Sequence, residues 1–152
     1  MTRSVPDRQV LPPSARRLFE RDLHATVVTT NPDGTPQVSL VWVELDGDDI
    51  VFGAEGWRRK VQNLRRDPVA AVIVQDTCRA DNGLVRFLTV RGRATIDGPG
   101  IADRFTRLMD RLARRYLGTE AYPLPNRGSR TAVIVRIRPE RVGGLGPWVG
   151  AG

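Results

Sequence analysis

Arg58-Arg59-Lys60, followed by Asn63-Leu64 and Asp67-Pro68, is the stretch of this chain whose residue types and spacing could do chemistry. Of 24 basic residues Lys60 is the one lysine; every other is arginine. A lysine ammonium is a compact point charge and arginine a planar fork, so the two do not substitute for each other in a narrow site. Trp57, Val61 and Leu64 recur at four- and three-residue spacing, one face of a short helix. Asp67 ends it, because a residue before proline avoids helical backbone. The three cations then occupy the first turn, an end that already carries positive dipole and N–H groups without intrahelical acceptors. Like charge there is unfavourable by a few tenths to about 1 kcal/mol per residue. An external anion reverses the sign, and a phosphate is the natural ligand; the competing reading is a solvated charge run. Gly53 and Gly56 just upstream would let a ligand approach the backbone closely.

No catalytic side-chain set accompanies these cations. His24 is the only histidine and sits at a helix-to-strand junction, where it reads as structural. Cys78 is the only cysteine, which rules out a disulfide within the chain and fits a reducing, cytoplasmic setting. There is no His/Cys cluster for zinc, no dinucleotide fingerprint and no P-loop. The acidic residues fall mostly in turns, as Asp33, Asp46, Asp48 and Asp49 do. An enzyme built this way leaves its chemistry to a bound cofactor.

The elements that must position the cations read mostly as strands. A short helix follows Pro12-Pro13, with Ser14 as its N-cap and Leu18, Phe19 and Leu23 as its apolar stripe. Residues 25–30 are rich in β-branched side chains and predict a strand. Asn31-Pro32-Asp33-Gly34 is a turn. Residues 35–45 alternate, with Gln37, Ser39, Val41 and Val43 on one side and Val38, Leu40 and Trp42 on the other. Further strands are expected over 50–53, 69–75, 84–96 and 131–137, with a polar loop over 76–83. Residues 101–117 predict an amphipathic helix, Phe105, Leu108, Met109, Leu112 and Tyr116 inward and a row of arginines outward. Trp42 and Trp57 are expected in the core. The pattern predicts one mainly β domain over 1–152, six antiparallel strands with inserted helices, and extended tails over 1–13 and 143–152.

At 152 residues the chain can bury a real core. Net charge is +7, the difference between 24 basic and 17 acidic residues, and the pI is about 11.0. Such a balance favours anionic partners. Nucleic acid is the least favoured of these, since no recognition motif or aromatic ladder accompanies the helix arginines. No stretch approaches the roughly 20 apolar residues of a membrane span.

The motifs Asp33-Gly34-x-Pro36-Gln37-x-Ser39, Arg58-x-Lys60-x-x-Asn63-Leu64-x-x-Asp67-Pro68 and Val90-x-Gly92-x-Ala94 together resemble the split β-barrel flavin-binding family that includes pyridoxamine phosphate oxidase. The likeness is nearest to its actinobacterial branch, which uses the deazaflavin coenzyme F420. It implies a six-stranded split β-barrel of FMN-binding type and a homodimer with cofactor sites at the interface. It places the cofactor phosphate against Arg58, Arg59 and Lys60 with Asn63 nearby, and the ring system by Gln37 and Ser39, where Gly53 gives it room. Arg86 and Phe87 would come from the partner subunit, and Trp148 would line the substrate pocket. The implied activity is hydride transfer from reduced F420 to an unsaturated small molecule, with no catalytic side chain named. The alternatives are an FMN-binding oxidoreductase of the same fold and a non-enzymatic cofactor carrier. Pyridoxamine phosphate oxidation itself is disfavoured, because that enzyme's substrate-binding C-terminal segment has no convincing counterpart here.

Overall fold

The computed structural model describes residues 10–150. The expected N-terminal tail therefore lies, for residues 1–9, outside the described residues. The chain enters through α1 (Pro13–Arg16) and a 3-10 turn (Arg17–Glu20) that bury Ala15, Leu18 and Phe19. The helix starts two residues earlier than Ser14 as N-cap implied. Pro13 opens it, Pro12 holds the N-cap position, and no side chain caps it, because proline's fixed φ already suits a first turn.

Seven strands follow, all paired antiparallel: β1 (Ala25–Thr30), β2 (Pro36–Val41), β3 (Glu44–Asp46), β4 (Asp49–Glu55), β5 (Val69–Arg79), β6 (Val85–Asp97) and β7 (Ala132–Leu145). Between them lie α2 (Arg59–Arg66) and α3 (Ala102–Leu117). The sheet order is β2-β1-β5-β6-β7-β4-β3. This corrects the expected barrel: the strands form one open sheet of seven, not a closed ring of six. The extra strand comes from a break at Trp42-Val43, where one long strand over 35–45 was expected. The Val43 N–H donates to the Tyr116 hydroxyl at 3.2 Å, and its carbonyl accepts from Arg115 at 2.9 Å. The helix α3 thus takes the backbone groups that a continuous ladder would have used. Because β2 and β3 are opposite edges joined by only two residues, the sheet must curl until its edges approach one another.

Burial explains the two faces of β4. Ile50 and Phe52 join the main core inside the curl, while Val51 joins a second cluster beneath α3 with Phe105, Leu108, Met109, Leu112 and Ile134. Each large apolar side chain so buried contributes roughly 1.5–3 kcal/mol. The α3 stripe is as its periodicity predicts. Three other expectations need amendment. The strand β5 runs on to Arg79 through an irregularity, into the stretch expected as loop. The last strand continues to Leu145, because β7 stays paired with β6 as far as Phe87↔Leu145. A Cβ at Gly144, where φ is +103°, would overlap the Phe87 carbonyl oxygen, so only glycine lets the two backbones come this close. Finally, Trp57 is 66% exposed and outside the core, while Trp42 is partly buried against the α3 cluster.

Candidate functional site

The cations stand where the spacing puts them. Arg58 is the N-cap of α2 with extended backbone (φ −60°, ψ 144°), and Arg59 and Lys60 are its first two helical residues. No side chain caps this end and no acidic residue lies in its first turn. The N–H groups of Arg59 and Lys60 are therefore donors without helical acceptors. Val61, Asn63 and Leu64 bury the opposite side of the helix. None of the ion pairs among the described residues involves Arg58, Arg59 or Lys60. Burial, and then the neighbouring Arg58 charge, hold the Lys60 pKa below the ordinary lysine value. The fold thus leaves a partly desolvated cation uncompensated, a state that a bound anion would relieve.

These cations border a cavity of about 610 Å³ that is also lined by Gln37, Ser39 and Trp57. Gln37 and Ser39 pair across the ladder with Thr29 and Val27, both buried, so they face inward as the alternation of β2 predicts. The Ser39 hydroxyl is a buried polar atom with no hydrogen-bond partner. Buried polar groups are normally paired, so this one marks a place for a ligand's polar atom. Trp57 stands at the rim with the Arg58 guanidinium 4.6 Å above its ring.

Asn63 does not line this cavity. It is fully buried, and its amide donates to Thr29 Oγ1 at 3.1 Å and to Asn31 Oδ1 at 3.0 Å. Thr29 Oγ1 in turn donates to Gln37 Oε1 at 2.9 Å. The chain of bonds ties α2 to the first hairpin and engages the acceptor end of the Gln37 amide; its N–H₂ end makes one long bond to the Val38 carbonyl at 3.4 Å and keeps a second hydrogen to donate. Asn63 is a positioning residue in this arrangement, a role its motif could not convey.

A second cavity, of about 540 Å³, shares Ser39, Arg58 and Lys60 with the first and extends over β4 to α3. Its walls include Trp42, Phe105, Met109 and Tyr122, and His24 reaches its edge. His24 packs 5.1 Å from the Tyr116 ring, consistent with a structural role. Gly53 also lines this cavity, yet the space beside it is already taken. A Cβ there would come within 2.8 Å of the Met109 sulfur and 2.9 Å of the Phe105 ring, so the glycine admits α3. Glu55 closes one end. Burial alone would raise its pKa, but hydrogen bonds from Thr131, Asn126 and Ser129 outweigh this and keep it low, hence ionised.

Three expected residues stand apart from the cations. Arg86 and Phe87 lie on β6 and line neither of these cavities. Trp148 is 3% exposed in the main core and donates its indole N–H to the Phe87 carbonyl at 3.2 Å. Sequence reading missed Tyr122 and Asn126, which come from the segment between α3 and β7, where no periodicity marks them. Among the described residues there is no cluster of metal-ligating side chains, and no helix is long and apolar enough to cross a membrane.

A curled antiparallel sheet with an uncompensated cationic cleft beside its first hairpin defines the class, the split-barrel type of fold. The chain belongs to the pyridoxamine 5'-phosphate oxidase family, whose profile matches residues 11–146. Among solved structures it is similar to an F420 reductase at 33% identity, with 88% of this chain and 98% of that one covered and a TM-score of 0.70. It also resembles a conserved hypothetical protein from Mycobacterium tuberculosis at 23% identity, covering 97% and 94% of the two chains, TM-score 0.68. At the level of fold alone it resembles a heme storage protein from Vibrio cholerae, 15% identical over 90% and 95% of the chains, TM-score 0.63. No curated protein matches the chain. The likeness to the F420 reductase fits the deazaflavin branch that the motifs pointed to.

Proposed function

We propose that this protein is an F420-dependent oxidoreductase that reduces an unsaturated small molecule. The observation that carries this reading is one cleft holding two unmet needs: the uncompensated Lys60 ammonium and the buried, unpartnered Ser39 hydroxyl. A cofactor with a phosphate at one end and a polar ring at the other would meet both. The 33% identity to an F420 reductase favours the deazaflavin over FMN, as does an arginine-rich chain facing a coenzyme with a poly-acidic tail.

When bound, the reduced deazaflavin supplies a hydride. The protein's share is binding and orientation. Arg58, Arg59, Lys60 and the free N–H groups of α2 would hold the phosphate. Gln37, set by Thr29 and Asn63, would donate to a ring carbonyl, and Ser39 would add a second polar contact. The apolar wall of the second cavity would exclude water from the reacting carbon.

A homodimer belongs to the same reading. Cross-strand pairing puts Val38, Leu40, Val28, Ala71, Ile73 and Phe87 on one outer face of β2-β1-β5-β6. Val38 and Leu40 are 61% and 64% exposed there, an apolar patch interrupted by Thr26, Gln75, Thr89 and Arg91, and exposed apolar patches mark interfaces. A partner seated on it would bring its own β6, with Arg86 and Phe87, toward the cleft.

Fluorescence titration with oxidised F420 and, separately, FMN tests the reading. Saturable binding of F420 at least tenfold tighter than FMN is the expected result. The reverse order would assign the cleft to FMN, and tight F420 binding with no turnover over a broad panel of enones and quinones would make the protein a carrier.

A further inference from the structure

A second group of cations lies on the outer side of β6 and β7, around a cavity of about 310 Å³ that shares no lining residue with the two cavities described above. Its wall is built from two successive cross-strand rows, Arg93↔Arg138 and Thr95↔Arg136. Like charges directly opposite on a sheet destabilise it, and Arg91↔Arg141 repeats the conflict in the next row. Folding alone would not set four arginines in this way. Arg136 is held by Asp46, Asp49 and Asp97. Arg138 takes part in none of the ion pairs among the described residues. Asp49 is the one carboxylate on the wall, and it already lies 3.5 Å from Arg136.

Glu140 is a second, independent sign that this wall is built for a ligand. The register passes from Arg91↔Arg141 to Gly92↔Pro139, so Glu140 is the extra residue of a bulge, a device that re-aims side chains. It is 9% exposed, its Oε1 lies 3.4 Å from Arg93 Nε, and its Oε2 is buried with no hydrogen-bond partner. Burying a carboxylate so sparsely paired is costly. What the fold gains is an Arg93 held by its inner nitrogen, with its terminal N–H₂ groups left for the cavity. A second copy seated on β2-β1-β5 would not neutralise these arginines, since the outward residues paired across those strands include no carboxylate. A guanidinium fork matches phosphate oxygens two at a time. Two forks on directly paired residues, with Cα atoms about 4.5–5.5 Å apart, suit two linked phosphates. The volume, roughly ten waters at about 30 Å³ each, has room for them. We propose that this cavity is a second anion site that binds a diphosphate group, free or carried by a nucleotide, through Arg93 and Arg138, with Arg136 and Thr95 completing the wall. It does not depend on which coenzyme fills the first cleft.

Calorimetric titration of the full chain with pyrophosphate should show saturable binding that survives Lys60→Met, a change confined to the cofactor cleft. Arg138→Gln should raise the pyrophosphate Kd roughly tenfold to hundredfold, the scale of lost charge-assisted hydrogen bonds. Arg93→Gln should do the same from the facing strand. Without ligand, Arg138→Gln should melt no lower than the native protein, because Arg93 loses its like-charged opposite, so the lost binding is not lost folding. Arg107→Gln removes an exposed arginine of α3 outside this cavity and should leave the Kd unchanged. ADP is titrated in parallel. ADP binding that needs Arg93 and Arg138 would assign the site to a nucleotide, and pyrophosphate binding alone to the free anion; either supports the diphosphate site. Absent pyrophosphate binding in the native protein would overturn it. So would an equal loss in Arg107→Gln, the mark of diffuse surface charge, or binding abolished by Lys60→Met and untouched by Arg138→Gln, which would belong to the cofactor cleft.

Discussion

The Lys60 ammonium works against the fold and for the ligand. Its pKa is lowered by burial and by Arg58, so the folded state gives up the proton at lower pH than the unfolded chain does. Between those two values the unfolded chain binds more protons, and the stability of the unliganded protein rises with pH. Binding of an anion runs the other way, since it needs the charged form. Lys60→Met keeps the apolar stem and removes the charge. Without ligand this variant should melt no lower than the native protein in a thermal-shift assay. It should bind F420 at least tenfold more weakly by fluorescence titration, because a hydrogen bond to a charged group contributes about 1.5–3 kcal/mol. A lowered melting temperature with unchanged affinity would make Lys60 a structural residue. The motif located Lys60 but could not show its isolation from every carboxylate in the described ion pairs, which depends on packing.

At the scale of the element, α2 has only eight residues and little stability of its own. Its orientation comes from Val61 and Leu64 in the core and from Asn63, whose amide reaches Thr29 and Asn31 on the first hairpin. Removing that side chain leaves the buried Thr29 Oγ1 and the half-buried Asn31 Oδ1 short of a donor. Asn63→Ala should therefore cost about 1–3 kcal/mol, the range for a buried polar group left unpaired. It should also loosen Gln37, whose carbonyl end is held by Thr29. Chemical denaturation measures the first effect, and F420 titration of the still-folded variant measures the second. Native-like stability would remove Asn63 from this role. Helix and hairpin were each legible from the chain, as periodicity and as turn chemistry. The bond between them joins residues 34 positions apart and leaves no local signal.

At the scale of the molecule, the outer face of β2-β1-β5-β6 exposes Val38 and Leu40, where the proposed dimer would seat its partner. Leu40 pairs with Thr26, and Thr26 with Ile73, across three neighbouring strands, so a charge at Leu40 would fall on the exposed β2 side of this face. Leu40→Glu should shift the protein from dimer to monomer in sedimentation velocity and weaken F420 binding in parallel. The inward face of β2 is untouched by that change, so a monomer with native affinity would place the whole cofactor site within one chain. A native protein that sediments as a monomer would refute the dimer.

The sequence by itself determined the parts that depend on near neighbours. Alternation along β2 sent Gln37 and Ser39 inward; Pro68 stopped α2; the stripe of α3 chose its buried side. It also placed three cations at one helix start, since residues this close in the chain share a turn. Only the tertiary structure decided the rest. The break at Trp42-Val43 exists because Tyr116 and Arg115, more than 70 positions away, take Val43's backbone groups. That break turns an expected six-stranded barrel into an open seven-stranded sheet. Trp148 went to the core because β7 stays paired with β6 far enough to bring it there. Tyr122 reached the cavity because Asp110 anchors its backbone and Trp42 its ring. Local pattern reports which way a side chain points within its own element; which element it meets is set by contacts that close only when the whole chain is folded.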